Sequence, residues 1–224
     1  VSAASLSLVA VNAGLGEPSS TRLLVDRLVD AVTGELAEFP ITVEVAIVDL
    51  RDLAVDIGRS LASGFAVGAV REAVDSVQAA DILIAATPVF NASYSGLFKS
   101  FFDLVAVDRM EGKPVLIAAT GGSPRHSMVL DHAMRPLFSY LSAVVVPTAV
   151  YAAAEDWAGT SGDTALLSDR VRRAARELVT ALRLDTAREP AAHRRVTEVR
   201  PPARETAAEA AGIANFARLL GEAS

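Results

Sequence analysis

Apolar, β-branched runs of about five to eight residues alternate along the chain with longer stretches whose apolar positions recur three and four residues apart. The runs are Leu6 to Val11, Ile41 to Val48, Asp81 to Ala86, Pro114 to Ala119 and Ala143 to Val150. They lack polar alternation, which marks strands covered on both faces. Helices are predicted over Ser19 to Gly34, Ala66 to Val77, Tyr94 to Val107, Ser127 to Leu141 and Ala165 to Leu184. In the first, Leu23, Leu24, Arg27, Leu28 and Ala31 recur at helical spacing, with Arg27 snorkelling at the edge. Asp49 to Gly64 reads as a longer connection. Strict alternation of strand and helix predicts a doubly wound α/β domain. Such a sheet binds ligands at the carboxyl ends of its strands. The loops after the first, third and fourth strands are therefore the places to look.

The pattern changes near residue 185. The expected organisation is one domain over 1–184 and a C-terminal arm over 185–224. Arg188, Arg194, Arg195, Arg200 and Arg204 mingle there with Glu189, Glu198 and Glu205, and Pro190, Pro201 and Pro202 interrupt. Thr206 to Leu220 then reads as a short amphipathic helix with Ile213, Phe216, Leu219 and Leu220 on one face. Packing on a second subunit, packing on its own domain and disorder all stay open for it.

Composition narrows the function. Hydrophobic residues make up 51% of the 224, so the chain can bury a core; aromatics are only 5%, which leaves Ala, Val and Leu to fill it. Net charge is −6, from 21 basic and 27 acidic residues. Nucleic-acid affinity comes from basic residues neutralising phosphates, so no nucleic-acid partner is expected. With no cysteine, disulfides, thiolate metal sites and cysteine nucleophiles are excluded. No apolar run reaches the roughly 18 residues of a membrane span, and Val1 to Val11 lacks the pattern of a signal peptide. The expectation is a soluble, cytoplasmic protein without a membrane partner.

Three segments carry candidate chemistry. The first runs from Asn12 to Arg22, joining a buried strand to a helix start. Such a start offers unpaired N–H groups and partial positive charge to a phosphate. Ser19, Ser20 and Thr21 add hydroxyls, Arg22 a cation, and Gly14 and Gly16 allow close backbone approach. The bland alternative is a helix N-cap cluster. Neither a Walker A loop nor a complete Gly-x-Gly-x-x-Gly is present.

The second segment is Thr87-Pro88-Val89-Phe90-Asn91-Ala92-Ser93-Tyr94-Ser95-Gly96-Leu97-Phe98-Lys99. Pro88 is expected to halt the third strand and Gly96 to permit tight packing. Phe90 and Tyr94 sit where a flat ring could stack, or they simply pack. Phe101 and Phe102 read as core or subunit contact. In the third segment, Ala119-Thr120-Gly121-Gly122-Ser123-Pro124-Arg125-His126, successive N–H groups could bind a ring edge or an anion. The plain reading is a turn whose glycines need positive φ. Arg125 suits a dinucleotide phosphate, or is a solvated helix-start arginine. His126 and His132 do not share a helix face and His193 lies in the arm, so no metal site is expected. No Gly-x-Ser-x-Gly elbow marks a hydrolase.

Taken together, Pro-Ser-Ser-Thr at 18–21, Thr-Pro-Val-Phe-Asn-Ala-Ser-Tyr-Ser-Gly-Leu-Phe-Lys at 87–99 and Ala-Thr-Gly-Gly-Ser at 119–123 resemble the NADPH-dependent FMN reductase family of flavodoxin-like proteins. The likeness covers roughly residues 5 to 180, and looks closest to reductases that feed two-component flavin monooxygenases such as the alkanesulfonate system. It implies a three-layer sandwich with a five-stranded parallel sheet in order 2-1-3-4-5, and a homodimer or homotetramer. It implies that Ser19, Ser20 and Thr21 hold the FMN phosphate, with Arg22 replacing the arginine that relatives often carry at position 20. It implies that Pro88, Val89, Phe90 and Asn91 line the flavin ring, with Ser93 and Tyr94 nearby. Thr120, Gly121, Gly122 and Ser123 would line its other side, and the reductant would be NADPH (or NADH), whose phosphate Arg125 suits by its residue type. Sulfonate-type relatives carry tyrosine at the position of His132. The implied reaction is hydride transfer from nicotinamide to FMN, without a catalytic acid or base from the protein. A flavin-bound quinone or azo reductase, a flavodoxin-type electron carrier and a scaffold without cofactor are the rival readings.

Overall fold

A computed structural model describes residues 4–157 and 164–186. Its elements are β1 (Ala4–Asn12), α1 (Ser20–Leu36), β2 (Ile41–Asp49), α2 (Ala54–Ser63), α3 (Gly68–Ala79), β3 (Ile82–Phe90), β4 (Ser93–Tyr94), α4 (Gly96–Phe102), β5 (Pro114–Gly121), α5 (Arg135–Tyr140), β6 (Val144–Val145), β7 (Val150–Ala153), α6 (Ala154–Trp157) and α7 (Thr164–Thr186). The sheet order is β2-β1-β3-β5-β6, with β4 antiparallel to β3 and β7 parallel to β5. This is the expected parallel arrangement, with two local differences. A two-residue strand folds back on the end of β3, and the fifth position is shared by β6 and β7.

Alternate residues of each strand enter different layers. Leu8 and Ala10 of β1 pack with Leu24, Val25 and Leu28 of α1 and with Leu167, Val171 and Ala174 of α7. Val9 and Val11 pack on the opposite face with Ile57 of α2, Val70 and Val74 of α3, Phe98 of α4 and Phe138 of α5. Burial on both faces is why these runs carry no polar alternation. Phe101 and Phe102, read as core or subunit contact, are core at 0% and 2% exposure. Phe102 meets Phe98 at 4.7 Å and Phe138 at 5.0 Å between ring centroids.

Several predicted boundaries move for identifiable reasons. β3 does not halt at Pro88 but continues to Phe90. Pairing with β1 ends at Asn12↔Ala86, so no strand on that side calls for the N–H that Pro88 lacks. The helix expected from Tyr94 starts at Gly96, because Ser95 caps it: its Oγ accepts from the Phe98 amide at 3.2 Å. That helix ends at Phe102. The connection from Asp49 to Gly64 contains α2, which begins without any side-chain cap and so gives no start signal. The helix expected over 127–141 is instead a π-helical turn at Leu130–Met134 followed by α5. Pro136 cannot donate to the carbonyl four residues back, which favours that irregularity. The fifth strand breaks around Pro147; Arg135 donates to the carbonyls of Val146 and Pro147 at 3.2 and 3.1 Å. The arm over 187–224, with the helix predicted for Thr206 to Leu220, lies outside the described residues. No helix among the described residues is long and apolar enough to cross a membrane.

Candidate functional site

β1 ends in a loop whose path is fixed from three directions. Buried Asn12 accepts the Gly14 amide on Oδ1 at 3.0 Å and donates through Nδ2 to Asp49 at 2.6 Å. A methyl group on Gly14 would strike Ser19 Oγ and stand 3.0 Å from Asn12 Oδ1 and Thr21 Cβ, so only glycine lets the loop close on itself. Ser19 caps α1 by accepting from the Arg22 amide at 3.2 Å. The amides of Ser20 and Thr21 head the helix and have no acceptor within it.

The end of α1 stands over a cleft of about 730 Å³ at the carboxyl edge of the sheet. All three predicted segments reach it. Ser19 and Ser20 line it from the first, Pro88, Val89 and Phe90 from the second, and Thr120, Gly121 and Gly122 from the third. Among the described residues, none in the lining carries a carboxylate, imidazole, ammonium or guanidinium group.

The other candidates stand elsewhere. Thr21 is buried beneath the lining, where its hydroxyl and that of Thr120 share a 2.7 Å hydrogen bond. Arg22 turns away from the cleft to Asp26, at 2.9 Å, and Asp49, at 2.6 Å. The Asp26 bond first, and then both charges, raise its pKa against the opposing effect of burial. It is thus tied to carboxylates and lines an adjoining pocket of about 360 Å³ with Glu17 and Asp52. Asn91 and Ala92 form a two-residue hairpin turn with φ of 49° and 63°. Ser93 and Tyr94 face a different cavity, of about 740 Å³, shared with His132 and Tyr140. Ser123 caps a short 3₁₀ turn by accepting from the Arg125 amide at 3.3 Å, and the Arg125 side chain is exposed.

The glycines of the second and third segments serve other ends than expected. Nothing lies within 4 Å of a methyl on Gly96. Neither Gly121 nor Gly122 has positive φ; a methyl on Gly121 would strike the Tyr151 hydroxyl and approach Val89 at 3.6 Å. That hydroxyl donates to the Ser123 carbonyl at 2.7 Å and so holds the third segment against β7.

Tyr151, Leu23, Ala154 and Trp157 are candidate site residues that pattern reading misses. The last three line the cleft. A fifth strand predicted to end at Val150 hides Tyr151, Ala154 and Trp157, because β7 in fact runs to Ala153 and is followed directly by α6; Leu23 reads only as part of the apolar face of α1. The chain's one tryptophan, next to that strand end, was the available signal.

The sequence profile described as NADPH-dependent FMN reductase matches residues 6–158. An NADH-dependent FMN reductase of Pseudomonas putida, SfnE, is 38% identical over 174 residues, 78% of this chain and 91% of that protein. An oxidoreductase structure from Corynebacterium diphtheriae superposes with TM-score 0.76 at 42% identity, covering 80% of this chain and 97% of the other. The apo structure of an NADH:FMN oxidoreductase, EmoB, gives TM-score 0.65 at 29% identity, covering 83% and 92%.

Proposed function

Because the chain belongs to the NADPH-dependent FMN reductase family, we propose that it transfers hydride from a reduced nicotinamide dinucleotide to FMN in the cleft beside α1. The observation that carries this reading is the convergence of three segments, from Ser19 to Gly122 in sequence, on that one cleft. Its chemistry fits a flavin nucleotide. Pro88, Val89 and Phe90 offer an apolar wall to a flat ring, and Phe90 is 47% exposed. Hydroxyls and a helix start suit a phosphate at the other end.

When bound, FMN supplies the ring nitrogen that accepts hydride from nicotinamide C4. The protein binds and orients. Ser19 and Ser20, with the amides of Ser20 and Thr21, hold the phosphate. Thr120, Gly121 and Gly122 present backbone to the ring edge. Thr21 acts from beneath by fixing Thr120, and Ser123 by fixing the turn. The hairpin through Asn91, Ser93 and Tyr94 supports the apolar wall from behind. Arg125 contacts a phosphate of the dinucleotide from the surface.

Reduced FMN passes to a flavin-dependent monooxygenase in the same cytoplasm, and the reductase works as a homodimer or homotetramer. Mass in solution checks the assembly. The main test is NADPH and NADH oxidation by the purified protein with and without added FMN. Turnover that depends on added FMN, from a colourless protein, is expected. A yellow protein active without added FMN indicates a quinone or dye reductase, and no turnover overturns the enzyme reading.

A further inference from the structure

Ser20, Leu23 and Arg27 recur at i, i+3 and i+7 and share one face of α1. Ser20 and Leu23 line the cleft. Arg27 reaches the lining through Trp157: its guanidinium carbon stands 4.7 Å from the centroid of that ring. Arg22, five residues earlier, is bound by two carboxylates. Arg27 has no ion pair among the described residues. The ring attracts its charge but takes none of its five N–H donors, which stay available to an anion.

Position decides which anion. Seven residues at a rise of 1.5 Å put Arg27 about 10 Å along α1 from Ser20. A flavin mononucleotide whose phosphate ends at the α1 start does not need that ground. A dinucleotide has a second half that does. Beyond Arg27 the surface continues as a groove of about 350 Å³ between α1 and α7, with Leu167 and Val171 as apolar wall and Asp30, Ser168 and Arg172 as its polar rim. A cation beside an indole face, next to a groove with an apolar wall and a polar rim, suits a phosphate joined to an adenosine.

We infer that Arg27 and Trp157 form the subsite for the adenosine-phosphate half of the nicotinamide dinucleotide, Arg27 binding phosphate and Trp157 packing against the base. This rests on the flavin-reductase reading of the same cleft. Reduced nicotinamide mononucleotide lacks the adenosine half and serves as the reference substrate. In Arg27→Gln the ratio of KM for NADPH to KM for the mononucleotide rises about tenfold, as expected for loss of a charge-assisted contact. Trp157→Leu raises the same ratio with Arg27 in place. A readout without turnover is quenching of the sole tryptophan by ADP-ribose, expected in the wild type and weakened in Arg27→Gln. An unaltered ratio together with absent quenching overturns the subsite. A loss confined to FMN affinity overturns it as well and gives Arg27 to the flavin phosphate. A wild type that oxidises neither dinucleotide defeats the flavin-reductase reading instead, which is a separate result.

Discussion

The hydroxyl of Thr21 is committed inside the protein, although its place in the first segment suggests a ligand contact. At 2% exposure it reaches Thr120, at 3%, across 99 positions of sequence. That bond joins the first and third segments under the cleft floor. Replacing either residue by valine leaves the other hydroxyl buried without its partner. Each of Thr21→Val and Thr120→Val should therefore cost about 1–3 kcal/mol of unfolding free energy. The double variant should cost clearly less than the two together, because it leaves no orphaned hydroxyl. Urea unfolding of the four proteins measures this cycle; strict additivity would show that the pair does not couple. Arg22 gives the complementary lesson. Its residue type suits a phosphate, but Asp26 of its own helix and Asp49 of β2 claim it first.

At the scale of elements, the β3–β4 hairpin decides where the apolar wall of the cleft stands. Val89 and Phe90 pair with Tyr94 and Ser93 around Asn91-Ala92, both at positive φ. Asparagine tolerates that region, whereas the Cβ of alanine crowds its own carbonyl there. Ala92→Gly should stabilise the protein by about 0.5 kcal/mol, the relief of strain exceeding glycine's added freedom in the unfolded chain. Thermal unfolding checks the sign: a lower midpoint would mean that the turn is not strained. Thr87 finishes the hairpin, accepting the Ser95 amide at 3.0 Å where α4 begins. The wall and the helix behind it are one folded unit.

For the whole molecule, two buried titratable groups set an alkaline stability profile. Burial first, and then the charge of Asp156, raise the Tyr151 phenol above its ordinary 10.0. The folded state thus holds that proton more tightly than the unfolded one. Its contribution is complete below pH 10.0 and is lost as pH climbs through the folded value. Lys113 acts in the opposite sense: burial lowers it below 10.5, against the pull of Asp81. The unfolded chain then binds more protons just below pH 10.5, and stability gains with pH in that window. Unfolding free energy measured from pH 8 to 12 should therefore fall above about pH 10.5, where the Lys113 gain is complete, and Tyr151→Phe should flatten that fall. An equally steep fall in the variant would assign it to other groups. Because Tyr151 holds the Ser123 carbonyl, the same titration should loosen the third segment of the cleft.

The order of apolar and amphipathic stretches was enough to determine the layers, the parallel sheet and the edge at which the cleft opens. Those features follow from burial on both faces of a strand and one face of a helix, which leave a periodic record in the chain. The same record was enough to place Ser19, Ser20, Pro88 to Phe90 and Thr120 to Gly122 around the cleft, since loops after strands carry turn residues in recognisable runs. Only the tertiary structure decided which of the candidates face the cleft. Thr21 and Asn91 carry suitable groups yet serve the fold, while Leu23 and Trp157 look like ordinary core residues and line the site. Arg22 and Arg27 lie five positions apart on one helix and have opposite fates, because Asp49 of β2 stands by one and Trp157 of α6 by the other. A partner brought from a distant element leaves no local periodicity, so the choice between the two arginines appears only when the layers are assembled.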